Sequence, residues 1–129
     1  GFGSLFLGQI MGKKSEVIFE SAARTATSAA TMLTESSEGL FFIDVTAVAA
    51  TPSVVFTISG VSPSGAAYTI LTSAAITSTG LTVLRVSPQL TAAANTIAKD
   101  ILPQALKVTA THSTADSITF SVYFIGMDA

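Results

Sequence analysis

The chain has no cysteine, no tryptophan and a single histidine among its 129 residues. Without cysteine there is no disulfide framework, no thiolate-held zinc or iron–sulfur cluster, and no cysteine nucleophile. One imidazole, His112, is little from which to build a zinc site or a Ser-His-Asp relay. Charge is scarce too: Asp, Glu, Lys and Arg make up 11% of the chain, less than half of the about 25% usual in soluble domains. The six basic residues are scattered, which argues against a phosphate-tracking stripe and against nucleic acid as a partner. No apolar run reaches the roughly 18 residues of a membrane span. Two tyrosines cannot furnish the aromatic girdles of an outer-membrane barrel, so no membrane partner is expected. No Asp-x-Asp-x-Asp-Gly calcium loop occurs, and Gly60-Val61-Ser62-Pro63-Ser64-Gly65 lacks the Gly-Lys-Ser/Thr ending of a phosphate loop. No metal, no cofactor and no catalytic group is expected.

What fills the chain instead is apolar residues, at 49%, together with Ser and Thr. The length fits one domain, large enough to bury about two thirds of its unfolded surface without a staple. A surface poor in long charged side chains loses little rotamer entropy and little hydration when it meets another protein. This composition is therefore expected of a subunit in a larger assembly. The competing reading is a secreted β domain.

The chain divides by composition into an arm, residues 1–14, and a single domain, residues 15–129. The arm is apolar and Gly-rich and ends in Lys13-Lys14. Its order, apolar before basic, is the reverse of a secretory signal. Phe2, Leu5, Phe6, Leu7 and Ile10 are expected to pack on a neighbouring subunit or, alternatively, to fold back over the chain's own core.

The rest reads as strands. Glu16 to Glu20 is a short β-rich run, and Ala22 to Leu33 reads as extended because its Thr and Ser side chains compete for the backbone of a helix. Leu40 to Ala47 is apolar on both faces and is expected to be a central strand. Val54, Phe56 and Ile58 share one face of the next strand, and Gly60 to Gly65 is a hairpin loop. Ala67 to Thr72 returns, Ala74 to Ser78 is short, and Leu81 to Ser87 ends at Pro88. Gln89 to Lys99 is irregular, with room for one or two helical turns. Leu106, Val108 and Ala110 alternate with Lys107, Thr109 and Thr111. The last strand alternates most cleanly, with Ile118, Phe120, Val122 and Phe124 against Thr119, Ser121 and Tyr123. Seven or eight short strands separated by turns predict an all-β, antiparallel β-sandwich, jelly-roll or immunoglobulin-like. Connections this short leave no room for a series of helical crossovers and argue against a parallel sheet.

Two constellations carry possible chemistry. His112 lies near Ser113 and Asp116, but no Gly-x-Ser-x-Gly elbow accompanies them. The expected structure is a turn in which Asp116 bonds its own backbone. Asp44 sits mid-strand between Ile43 and Val45, where an unpaired carboxylate is costly if buried. Arg85, in Leu84-Arg85-Val86, is its expected ion-pair partner; the alternative is that each is solvated on an outer face.

A resemblance rests on several strings: Gly39-Leu40-Phe41-Phe42-Ile43-Asp44-Val45, Tyr68-Thr69-Ile70-Leu71, Ala74-Ala75-Ile76-Thr77 and Val83-Leu84-Arg85-Val86. It continues in Leu90-Thr91-Ala92-Ala93-Ala94-Asn95, Asp100-Ile101-Leu102-Pro103 and Ala115-Asp116-Ser117-Ile118-Thr119. Over residues 39–125 the chain resembles a group of small proteins encoded among the structural genes of tailed bacteriophages. The resemblance implies a virion structural protein on the capsid surface, a decoration (cement) protein with a β-sandwich fold. Its partners would be the major capsid protein or other virion subunits, and its own state a homo-oligomer, dimer or trimer. A tail or fibre component, or a secreted carbohydrate-binding module, is the alternative. Residues 1–12 depart from the group's usual opening.

Overall fold

A computed structural model describes residues 13–127. Nine strands are formed among them: β1 (Lys13–Arg24), β2 (Ser28–Leu33), β3 (Glu38–Val48), β4 (Val54–Val61), β5 (Ala67–Thr72), β6 (Gly80–Val86), β7 (Ile97–Ala98), β8 (Ala105–His112) and β9 (Ile118–Met127). They make two sheets, one of five strands in the order β1-β9-β3-β6-β7 and one of four in the order β2-β8-β4-β5. With the two-residue β7 set aside, first pairs with last throughout: β1 with β9, β2 with β8, β3 with β6, β4 with β5. The pairings of β9 with β3 and β8 with β4 complete the sheets. This is one long hairpin rolled up into a sandwich, the jelly-roll topology. It decides between the two sandwich types that strand number leaves open.

The core lies between the sheets and is built by alternation. Ile118, Phe120, Val122 and Phe124 of β9 point inward with Phe41, Ile43 and Val45 of β3. Val54, Phe56 and Ile58 of β4 and Leu106, Val108 and Ala110 of β8 meet them from the other sheet. Each such strand is apolar at every second residue because one face meets the core and the other does not. As expected, β3 is the middle strand of its sheet. Gly39 and Gly126, directly opposite each other, leave room for the Phe124 ring, which a Cβ at either position would strike.

The structure adds detail to three parts of the sequence reading. Lys13 and Lys14, assigned to the arm, are already strand and pair with Met127 and Gly126. The arm residues Phe2, Leu5, Phe6, Leu7 and Ile10 lie outside the described residues. Gln89 to Lys99 is irregular, as expected, and takes no helical turn; its only regular element is the two-residue β7. The free edge of β6 captures this segment instead: Arg85 N–H donates to the Thr96 carbonyl at 2.9 Å and Ser87 N–H to that of Ala98 at 3.0 Å. Asn95, with φ of 64°, turns the chain into that pairing. One or two helical turns are too marginal alone to compete. The result is a two-residue parallel pairing of β7 with β6 at the edge of an otherwise antiparallel sheet.

Candidate functional site

Strands that bury one face must present the other, and the two sheets present different chemistry. The outer face of the four-stranded sheet is rich in hydroxyls. Thr109 lies between Ala29 and Thr57, and Thr57 lies beside Thr72. Lys107 lies between Thr31 and Ser59. Such a face is comfortable in water.

The outer face of the five-stranded sheet carries apolar rows, with Asp44 and Arg85 beside them. The register aligns Val17, Tyr123, Phe42 and Val83 in one row across β1, β9, β3 and β6. The adjoining row holds Ile125 and Leu40, then Arg85. Val17 is 45% exposed, Tyr123 40% and the nearby Leu81 62%. Contiguous apolar surface of this kind marks an interaction site more often than scattered single residues do. Toward the end of the strands, Leu40, Ile125, Met127 and Leu90 wall a groove of about 300 Å³, with Arg85 on one side and Glu38 on the other. Ser87 Oγ donates to Glu38 Oε1 at 2.9 Å, which holds the carboxylate at the rim.

The structure separates the expected ion pair. Asp44 stands opposite Leu81, and Arg85 opposite Leu40. Both lie on the outer face, but the register sets them four residues apart along the strands, about 13 Å at the usual strand rise. Each is exposed to water, so neither carboxylate nor guanidinium needs the other.

His112 and Asp116 do not meet in a relay. Both ring nitrogens of His112 lie out of reach of water with no hydrogen-bond partner. The Asp116 carboxylate accepts from the backbone N–H and the hydroxyl of Thr51, each at 3.2 Å. It therefore clamps a neighbouring loop rather than its own turn, which corrects the expectation from local sequence. Among the described residues no group of three or more His, Asp or Glu is placed to hold a metal ion. Tyr68 and Tyr123 belong to different sheets and do not converge on a sugar site.

Sequence reasoning passed over Arg24. Its guanidinium lies 4.5 Å from the centre of the Phe120 ring and 5.1 Å from that of Phe19. It donates to the carbonyls of Phe120 at 3.0 Å and Glu20 at 2.8 Å. An arginine closing a strand that carries a core phenylalanine was the available signal. Burial, and then the charge of Arg24, hold the His112 imidazole below its ordinary pKa of 6.5. The unfolded chain therefore takes up that proton first as pH falls. Stability is expected to be level above pH 6.5 and to decline as pH drops through the lowered native value. Urea unfolding between about pH 7.5 and 5 should show a decline that His112→Gln makes shallower. Coincident profiles for the two proteins would remove the imidazole as the cause.

No family model and no curated protein matches the chain. Among solved structures it is similar to one described as the structure of infectious bursal disease virus Gx strain, over 96% of this chain and 35% of that one, with 11% identity and a TM-score of 0.37. The chain thus spans about a third of the length of the structure it matches.

Proposed function

We propose that this chain is a structural subunit of a virion, not an enzyme, and that it binds other shell subunits through the outer face of its five-stranded sheet. The row Val17, Tyr123, Phe42 and Val83 carries this reading. A monomer has no use for such a row, and covering it removes apolar area from water at about 25 cal/mol per Å². The row itself carries no charge; Asp44 and Arg85 flank it on the same face, exposed, where they can stay solvated at the rim of a contact. Jelly rolls serve in viral shells, but also in lectins and cupins, so the fold alone does not choose. The absence of a metal-holding group among the described residues offers nothing for a metal-dependent cupin role. The resemblance of residues 39–125 to tailed-phage structural proteins supports the narrower role of capsid decoration, with the major capsid protein as partner. In that role each bound copy favours the assembled shell over its free subunits by mass action, and many modest contacts sum.

The test is direct. Purified chain added to undecorated phage capsids should bind saturably, with a copy number set by the symmetry of the shell, and should raise the melting temperature of the capsid. Capsids that melt at the same temperature with and without the chain would remove the decoration role.

A further inference from the structure

The groove beside Leu90 needs an occupant, and the start of the described chain points to one. β1 opens at Lys13, opposite Met127, and Met127 in turn stands opposite Glu38. Met127 and Glu38 both line the groove. The twelve residues before Lys13 are therefore attached at the end of the sheet where the groove lies. From Lys13 the groove is two strands away, about 10 Å at the usual spacing. Twelve extended residues reach about 40 Å.

The chemistry of the two surfaces is complementary. Residues 1–12 contain Phe2, Leu5, Phe6, Leu7, Ile10 and no charged side chain. The groove presents Leu40, Ile125, Met127 and Leu90. Direction decides whose groove is filled. β1 is antiparallel to β9, so its line extended back past Lys13 runs off the Met127 end of the sheet, along the strands. The groove lies across the strands. A segment following that line leaves its own sheet in a direction open to a neighbouring copy, whereas entry into its own groove requires a sharp turn across the strands.

We infer that residues 1–12 of one copy dock in the groove between Leu40, Ile125 and Leu90 of a second copy. The exchange is reciprocal when the two copies are related by a two-fold axis, so both grooves are filled and the association closes. The inference rests on the reading of this face as an interface, and it names the partner at one end of that face.

The chain contains no cysteine, which makes a disulfide readout clean. Full-length Phe6→Cys is mixed with full-length Leu90→Cys under mild oxidation, and separately with Ser64→Cys, whose site lies in the exposed hairpin loop of the other sheet. Linked dimers are expected to form at least about tenfold faster with Leu90→Cys than with Ser64→Cys, reflecting local concentration. The double variant Phe6→Cys/Leu90→Cys should give linked dimers rather than monomers with an internal bridge. Equal rates at the two sites, or no linkage, would overturn the inference. An internally bridged monomer would assign the groove to the chain's own arm and overturn it as well. Circular dichroism on each variant confirms that the fold is kept. As a second measure, full-length Phe6→Asp/Leu7→Asp should sediment as a smaller species than the parent chain. Capsids take no part in these measurements. Exchange without affinity for capsids would therefore leave this inference standing and sink the decoration role, and capsid binding without arm linkage would do the reverse.

Discussion

Phe120→Ala is expected to remove about 3–5 kcal/mol of stability, the range for deleting a fully buried aromatic side chain. Phe120 is completely buried and holds three partners in place. Phe56 of the opposite sheet meets it edge-on with ring centres 5.0 Å apart, and Phe19 of the neighbouring strand does so at 5.6 Å. Each such pair contributes about 0.5–1.5 kcal/mol beyond area burial. The third partner is Arg24, whose guanidinium lies over the ring. Truncation thus opens a cavity between the sheets and strips the face on which a cation rests. Domains of this size have about 5–15 kcal/mol in total, so the melting midpoint should fall by roughly 10–20 °C. Thermal and urea unfolding measure both. A loss under about 1 kcal/mol would mean that the two sheets do not meet at Phe120.

Changes on the other side of the same strand should leave stability alone and remove association. Val17 and Tyr123 are direct cross-strand partners, each about two-fifths exposed on the outer face. Val17→Glu with Tyr123→Lys places opposite charges across β1 and β9, a favourable arrangement in water. Net charge is unchanged. The unfolding midpoint is expected to stay within about 1 kcal/mol of the parent, as is usual for exposed positions. With this face as the proposed contact, binding to assembled capsids should weaken about 100-fold, near 2.8 kcal/mol, because both charges must shed water in an apolar contact. Binding isotherms with assembled capsids provide the measurement. Undiminished affinity would show that the contact lies on another surface, with the hydroxyl-rich face of the four-stranded sheet the next to test.

These two predictions separate what was legible along the chain from what was not. Which side chains of a strand turn inward is a local matter, since successive residues point to opposite faces. Ile118, Phe120, Val122 and Phe124 could therefore be read as core from their spacing alone, and so could Val54, Phe56 and Ile58. The all-β class followed in the same way, as did the central place of β3, whose outer face is apolar too. The scarcity of charge, and with it the case for an interface, needed only composition.

Register across distant strands is not local, and there the sequence was silent. Asp44 and Arg85 both sit mid-strand, but the register of β3 against β6 sets Leu81 and Leu40 opposite them instead. Arg24 lay unremarked inside an extended run, and only β9 laid beside β1 brings Phe120 under its guanidinium. Within the irregular Gln89 to Lys99, Ile97 and Ala98 join a sheet edge formed by residues that precede them in the chain. Val17, Phe42, Val83 and Tyr123 are unrelated apolar residues in sequence, and only the pairing of four strands makes them a row. Alternation is set by the geometry of a single backbone and can be read directly from the chain. The apolar row depends on contacts closed over long loops, whose partners are chosen only when the whole sandwich packs.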